Sequence, residues 1–261
     1  TLHIDFAPVR EMFGFSCRLL VTNVFTHINN NVFSVVLGKF FNSQTVGYYN
    51  QGNKWTTMGQ NLITGMVNSV SQPVLEQVKD DGERQFRVFR KMFQFTGLVA
   101  FPVMFGLSAV SEELITLLIT DKWLESARIL RILCMGGAFI PLAQLYANLL
   151  VSRGRSGVYM WNTVALGLLQ VAALVVLCPF GIRPMLWAYV CLNVGWLLVW
   201  HGFARREIRL DSIALLGDAA AFLFAALLMM GVSVGLGDGI GDLYLRFFAK
   251  IGLAVCVYPS V

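Results

Sequence analysis

The chain has 261 residues, of which 56% are hydrophobic and only 13% are charged, and its formal net charge is +5. A soluble globular domain carries roughly a quarter charged residues, so this composition excludes an ordinary soluble domain. The cations lie in short segments between apolar blocks, where positive charge sets membrane orientation, and we expect no nucleic-acid partner. The five cysteines form no CxxC motif or Cys/His cluster, so we expect no metal site and no cofactor.

Eight apolar blocks are long enough to cross about 30 Å of hydrocarbon. They are residues 13–36, 45–70, 92–110, 127–151, 158–180, 185–203, 213–234 and 243–258. Because backbone groups in lipid must be hydrogen-bonded internally, we predict an all-α, polytopic transmembrane bundle of about eight spans. Cation-rich and cation-poor connections alternate, so the positive-inside rule predicts that the first span runs outward from the cytosol.

Polar side chains recur at steps of three and four along the first two blocks, which places them on one face of each helix. We call this face the polar stripe and predict that it lines a substrate cavity. Its members are Arg18, Asn23, His27, Asn30, Ser34, Asn50, Lys54, Thr57, Asn61, Thr64, Asn68 and Gln72. Polar residues at membrane depth face a bundle interior or a watery pathway.

Two interpretations of the polar stripe stay open for any single residue. Asn, Ser and Thr also hydrogen-bond neighbouring helices together, and Lys54 can extend outward to the membrane surface. As a set, amides and hydroxyls suit sugar hydroxyls, and the cations suit phosphate. Spans one to six carry no pair of deeply placed acids, and Asp218 stands alone in span seven.

Two connecting segments have a recognisable pattern. In the loop 78–91, Asp80 or Asp81 can cap a helix start, and Phe86, Phe89 and Phe93 recur at helical spacing among cations. This pattern predicts an amphipathic helix in the membrane interface. Pro141 falls within the fourth block and can kink it, and the later spans carry few polar residues, as expected of peripheral helices.

An ordered set of motifs resembles the Wzx-type polysaccharide flippases of the multidrug/oligosaccharidyl-lipid/polysaccharide exporter superfamily. VVLGKF at 35–40 followed by VGYYN at 46–50 is similar to the family's "liGr-flg" and "lGlYn" stretches. Pro73 with DDGER at 80–84, RK at 90–91, FP at 101–102, KW at 122–123 and GR at 154–155 continue the match. Thr120 stands where the family usually has Gly.

The resemblance implies a transporter and not an enzyme. Such flippases have two six-helix lobes around a central cavity, often followed by two more helices. Residues 1–205 resemble the C-terminal lobe and residues 206–261 the following pair, so we expect a piece of a longer protein whose N-terminal lobe is the missing partner. The family moves undecaprenyl-pyrophosphate-linked oligosaccharide across the bacterial inner membrane by alternating access, for polysaccharide or O-antigen biosynthesis. Membrane lipid surrounds it. In relatives, cations of the cavity meet the pyrophosphate, and the resemblance implies this part for Arg18 and Lys54.

Two rival functions remain. A cation-coupled multidrug antiporter of the same fold would favour acids and aromatics in the cavity. Spans one to four contain no deeply placed Asp or Glu, which argues against it. A membrane-embedded polysaccharide ligase would carry large outer loops with Arg and His, and no such loop is present in this sequence.

Overall fold

The computed structural model describes residues 7–208, 212–237, 239 and 241–258, without the side chains of residues 7–12, 14, 15 and 18. Within this part of the chain the regular structure is entirely helical, which confirms the predicted fold class. The helices are α1 (Ala7–Phe40), α2 (Ser43–Gln77), α3 (Gly82–Ala109), α4 (Ser111–Leu118), α5 (Leu124–Gly137), α6 (Ile140–Ser152), α7 (Ser156–Leu177), α8 (Ile182–Glu207), α9 (Ser212–Gly237) and α10 (Leu243–Val257). Short 3₁₀ turns lie at Asp121–Trp123 and Cys178–Phe180.

Five helical stretches of the described chain are long and apolar enough to cross a membrane. They are Gly82–Ala109, Asp121–Ser152, Ser156–Phe180, Ile182–Glu207 and Ser212–Gly237. At 34 and 35 residues, α1 and α2 are each about 50 Å long. Because they carry the polar stripe, they are less apolar than these five stretches. The helix α10 has only 15 residues. The chain is thus a multi-pass membrane protein, and membrane crossing by α1, α2 and α10 stays a prediction.

The fourth predicted span is a broken helix. Helix α5 ends at Gly137 and α6 begins at Ile140, with Pro141 in the first turn of α6. Proline has no backbone N–H to continue the hydrogen-bond ladder, which accounts for the break. The break lies beside the cavity described below, so both halves of this span contribute to its wall.

Side-chain caps fix the starts of α2 and α3. The Asn42 side chain accepts a 2.8 Å hydrogen bond from the Thr45 backbone N–H at the start of α2. The Asp81 carboxylate accepts one of 2.9 Å from the Arg84 N–H at the start of α3, so the predicted cap at this position is confirmed.

No separate interfacial helix precedes α3 in the described chain, so that prediction is wrong. Residues from Gly82 onward form one continuous helix, and Phe89 and Phe93 are buried in the core against Tyr146. The aromatic spacing that resembles an amphipathic surface helix therefore marks the core-facing side of a span, since burial in the bundle and burial in lipid select the same residues.

The core lies mainly between α2, α3, α5 and α6. Helix α2 packs along α5 and α6, α1 packs along α7, and α9 packs against α3 and α10. Gly52 permits the close approach of α2 to α5, because a Cβ atom there would lie 2.9 Å from the Ser126 carbonyl oxygen. Phe33 of α1 stacks on Tyr49 of α2 with ring centroids 4.4 Å apart.

Ion pairs attach α9 and α10 to the rest of the bundle. Arg90 of α3 donates to both carboxylate oxygens of Asp218 in α9, at 2.9 and 3.3 Å, and Gln94 adds a third hydrogen bond of 3.0 Å. Asp218, the lone acid of its span, is therefore paired with a cation. Lys250 of α10 donates to Glu113 of α4 at 2.7 Å. The division of the chain at residues 205 and 206 stays a prediction.

Candidate functional site

A cavity of about 490 Å³ lies between α1, α2, α5, α6 and α8. This volume falls within the range of small-molecule pockets in proteins. Its wall consists of Thr26, His27, Asn30, Asn31, Asn53, Thr56, Thr57, Gln60, Asn61, Thr64, Asn68, Leu133, Gly136, Gly137, Ile140, Gln144, Tyr189, Val190 and Asn193.

Carboxamides and hydroxyls predominate in the cavity wall. The described lining contains no Asp, Glu, Lys or Arg side chain, and His27 contributes an imidazole. Carboxamides and hydroxyls both donate and accept hydrogen bonds without carrying charge. The cavity therefore offers a dense, uncharged hydrogen-bonding surface, which is suited to a polyhydroxylated group and poorly suited to neutralising a bare cation.

Half of the predicted stripe lines this cavity. The members that do so are His27, Asn30, Thr57, Asn61, Thr64 and Asn68. Helix α1 and helix α2 thus bring their polar faces together as the spacing predicts. Whether substrate passes along this face stays a prediction.

The other predicted members lie elsewhere. Ser34 donates a 2.6 Å hydrogen bond to the Asn50 side chain, so this pair joins α1 to α2. Lys54 and Asn23 are exposed outside the cavity lining, and Gln72 lines a separate groove. The Arg18 side chain lies outside the described residues. No described cation therefore lines the cavity.

The remaining wall comes from residues that the sequence analysis did not select. Gln144 of α6 and Asn193 of α8 line the cavity, as do Gly136 and Gly137 where α5 ends. The expectation that the later spans are peripheral is wrong for α8, because Tyr189 and Asn193 lie in the cavity wall. One sequence signal was available, because Gln144 begins a run of polar residues at steps of four along the apolar helix α6.

A second groove of about 840 Å³ lies at the end of α2 that is predicted to face the cytosol. Its lining mixes charges, including Glu76, Lys79, Asp80 and Arg153. The Arg153 guanidinium donates a 2.7 Å hydrogen bond to Gln85 of α3. The mixed charges distinguish this groove from the uncharged cavity. Across the described residues, no group of three His, Cys, Asp or Glu side chains is placed to hold a metal ion.

A family model described as "Polysaccharide biosynthesis protein" matches residues 1–128. The teichuronic acid biosynthesis protein TuaB of Bacillus subtilis is 23% identical over 255 residues, which cover 97% of this chain and 52% of that protein. The lipopolysaccharide biosynthesis protein WzxC of Escherichia coli is 24% identical over 154 residues, covering 59% of this chain and 31% of that protein.

A solved structure has the same fold. The lipid II flippase MurJ, in an inward closed conformation, aligns with 100% of this chain and 55% of its own length, with a TM-score of 0.74 and 17% identity. The chain thus spans about half the length of TuaB and of the MurJ structure. These matches confirm the resemblance drawn from the motifs: the chain is related to the membrane proteins of polysaccharide biosynthesis and has the fold of half a lipid flippase.

Proposed function

We propose that this chain forms one half of a transporter that moves lipid-linked oligosaccharide across the bacterial inner membrane. The cargo is an undecaprenyl-pyrophosphate-linked repeat unit for polysaccharide biosynthesis, and alternating access carries it from the cytosolic to the outer leaflet. The single observation that carries this proposal is the uncharged, amide-rich cavity between α1, α2, α5, α6 and α8. The relatives named for polysaccharide biosynthesis support it.

The cavity supports this cargo on chemical grounds. A sugar hydroxyl donates and accepts at once, and each hydrogen bond formed with an Asn, Gln or Thr side chain replaces one with water at a net gain of about 1 kcal/mol. Many weak contacts hold the headgroup without trapping it, which suits a transported molecule. The lipid tail requires no polar contact and can remain in the membrane.

The cations of the polar stripe are proposed to meet the pyrophosphate outside the uncharged cavity. Lys54 is exposed on α2, one turn from Thr57 in the cavity wall, and it forms no ion pair with a described residue. In this arrangement the sugar occupies the cavity while the phosphates remain at its edge. Arg18 is proposed for the same role from its place in the sequence.

The rival antiporter is disfavoured by a specific observation. Binding and exchange of a cationic drug with protons or sodium require a carboxylate in the cavity, and the described lining contains none. Measuring drug sensitivity of a strain that lacks the gene distinguishes the two, since an antiporter protects the cell and a flippase of this kind does not.

The test is transport by the full-length protein in proteoliposomes. We expect wild-type protein to move a lipid-linked oligosaccharide between leaflets and Asn61→Leu, in the cavity wall, to reduce the rate strongly. Asn162→Leu is the matched control, because Asn162 of α7 lies outside the cavity and bonds within its own helix. Equal rates for Asn61→Leu and wild type would contradict the role of the cavity, and no transport by wild type would contradict the function.

A further inference from the structure

A buried asparagine of α6 links two residues of the cavity wall. Asn148 is 6% exposed and is not itself part of the lining. Its amide nitrogen donates to the Asn68 side-chain oxygen at 2.9 Å and to the Ser71 hydroxyl at 2.7 Å. Its oxygen accepts a 3.1 Å hydrogen bond from the amide nitrogen of Gln144.

These bonds leave a hydrogen-bond donor at Asn68 and an acceptor at Gln144. Asn68 and Gln144 both line the cavity. The Asn68 oxygen faces Asn148, so its NH₂, a donor, is the group that forms no hydrogen bond with a described residue. The Gln144 NH₂ faces Asn148, so its oxygen, an acceptor, is the group that forms no hydrogen bond with a described residue.

We infer that Asn148 is a positioning residue that fixes a donor at Asn68 and an acceptor at Gln144 for adjacent hydroxyls of an uncharged sugar. This inference rests on the proposed function, and it adds which groups of the cavity wall form hydrogen bonds with the sugar. Asn148 touches no substrate itself. Without it, both amides rotate freely, and binding must fix two additional side-chain torsions.

Placement along the helices supports this role. Asn68 is one turn from Thr64 on α2, and Gln144 is one turn from Ile140 on α6, so the pair lies at one end of the cavity wall. Asn148 follows Gln144 by four residues on the same face of α6. One buried amide therefore sets the orientation of a pair drawn from two different helices.

The alternative is that Asn148 only joins α2 to α6. Both roles predict a loss of stability on truncation, so stability does not separate them. The separating measurement is the substrate concentration at half-maximal transport, taken alongside the maximal rate, for full-length protein in proteoliposomes with a lipid-linked oligosaccharide of uncharged sugars.

We expect Asn148→Ala to raise the half-saturating concentration roughly tenfold, the effect of one to two neutral hydrogen bonds, with a smaller change in maximal rate. Asn162→Ala is the control, since Asn162 is similarly buried at 5% exposure and its amide nitrogen donates to the Val158 carbonyl within α7. In an Asn68→Ala/Gln144→Ala background, Asn148→Ala should leave the half-saturating concentration unchanged, because its two targets are gone.

Two results would overturn the inference while the proposed function stands. In the first, wild-type protein transports the cargo, and Asn148→Ala changes the half-saturating concentration no more than Asn162→Ala does. The other is an equal shift from Asn148→Ala in both backgrounds. Absence of transport by wild type overturns the proposed function and this inference with it. Where Asn148→Ala does not fold, Asn148→Ser, which retains one hydrogen bond, is measured by the same criteria.

Discussion

The ion pair between Lys250 and Glu113 should respond to single and double substitution in opposite ways. The ammonium and carboxylate are 2.7 Å apart, and the two side chains are only 1% and 3% exposed. Gly237 of α9 makes room for the Lys250 stem, since a Cβ atom there would lie 2.5 Å from the Lys250 Cγ. Neither charge can reach water without moving a helix.

Replacing Glu113 by Leu removes the carboxylate that lies 2.7 Å from the buried Lys250 ammonium. Breaking one side of a buried pair costs about 3–5 kcal/mol, because the desolvated charge loses its counter-charge. Replacing both residues, as in Glu113→Leu with Lys250→Met, removes the charges together and should be nearly neutral or stabilising. The second Glu113 oxygen has no hydrogen-bond partner among the described residues, which favours the apolar replacement further.

The assay is unfolding of the full-length protein in mixed micelles by added sodium dodecyl sulfate, followed by circular dichroism. Glu76→Leu is the matched control, since Glu76 pairs with Lys79 at 2.6 Å and both side chains are about half exposed. A surface pair contributes little, so this control should barely change the transition. The reasoning is refuted if Glu113→Leu is no worse than Glu76→Leu, or if the double variant is less stable than Glu113→Leu alone.

Three further outcomes follow from other contacts. Gly52→Leu should destabilise the protein by about 1–3 kcal/mol in the same unfolding assay, because the leucine side chain must displace the Ser126 carbonyl. A transition close to that of wild type would show that α2 and α5 can separate here at little cost. Asp218→Leu should lower the free energy of unfolding by about 1–3 kcal/mol. This is less than for a fully buried pair, because the Arg90 side chain is 40% exposed and can be rehydrated. A larger decrease would show that water does not reach this pair. Lys54→Gln should slow transport of pyrophosphate-linked cargo in proteoliposomes, whereas Lys54→Arg should keep the wild-type rate because it keeps the positive charge. Equal rates for the two variants would show that Lys54 does not bind the phosphates.

Helix existence and the polar stripe were predictable because both are local patterns. Apolar blocks of spanning length must be helical in lipid, and the steps of three and four in α1 and α2 place His27 and Asn61 on facing surfaces. The cap at Asp81 was predictable for the same reason, since it involves residues only three apart.

The long-range contacts were not predictable from one sequence. Glu113 and Lys250 are 137 residues apart, and Arg90 and Asp218 are 128 apart, so nothing local marks either pair. The spacing of the phenylalanines in the first half of α3 predicts a lipid-facing helix, because apolar periodicity does not distinguish a lipid-facing side from a core-facing one. Asn193 was overlooked because a single polar residue in an apolar span forms no pattern.

The central claim is that the sugar headgroup occupies the cavity between α1, α2, α5, α6 and α8. The most direct measurement is photocrosslinking in cells from a benzoylphenylalanine placed at Asn61 of the full-length protein, with Leu198, an exposed position of α8, as the control site. The account predicts that lipid-linked oligosaccharide is captured from position 61 and not from position 198. Capture from position 198 alone would contradict it.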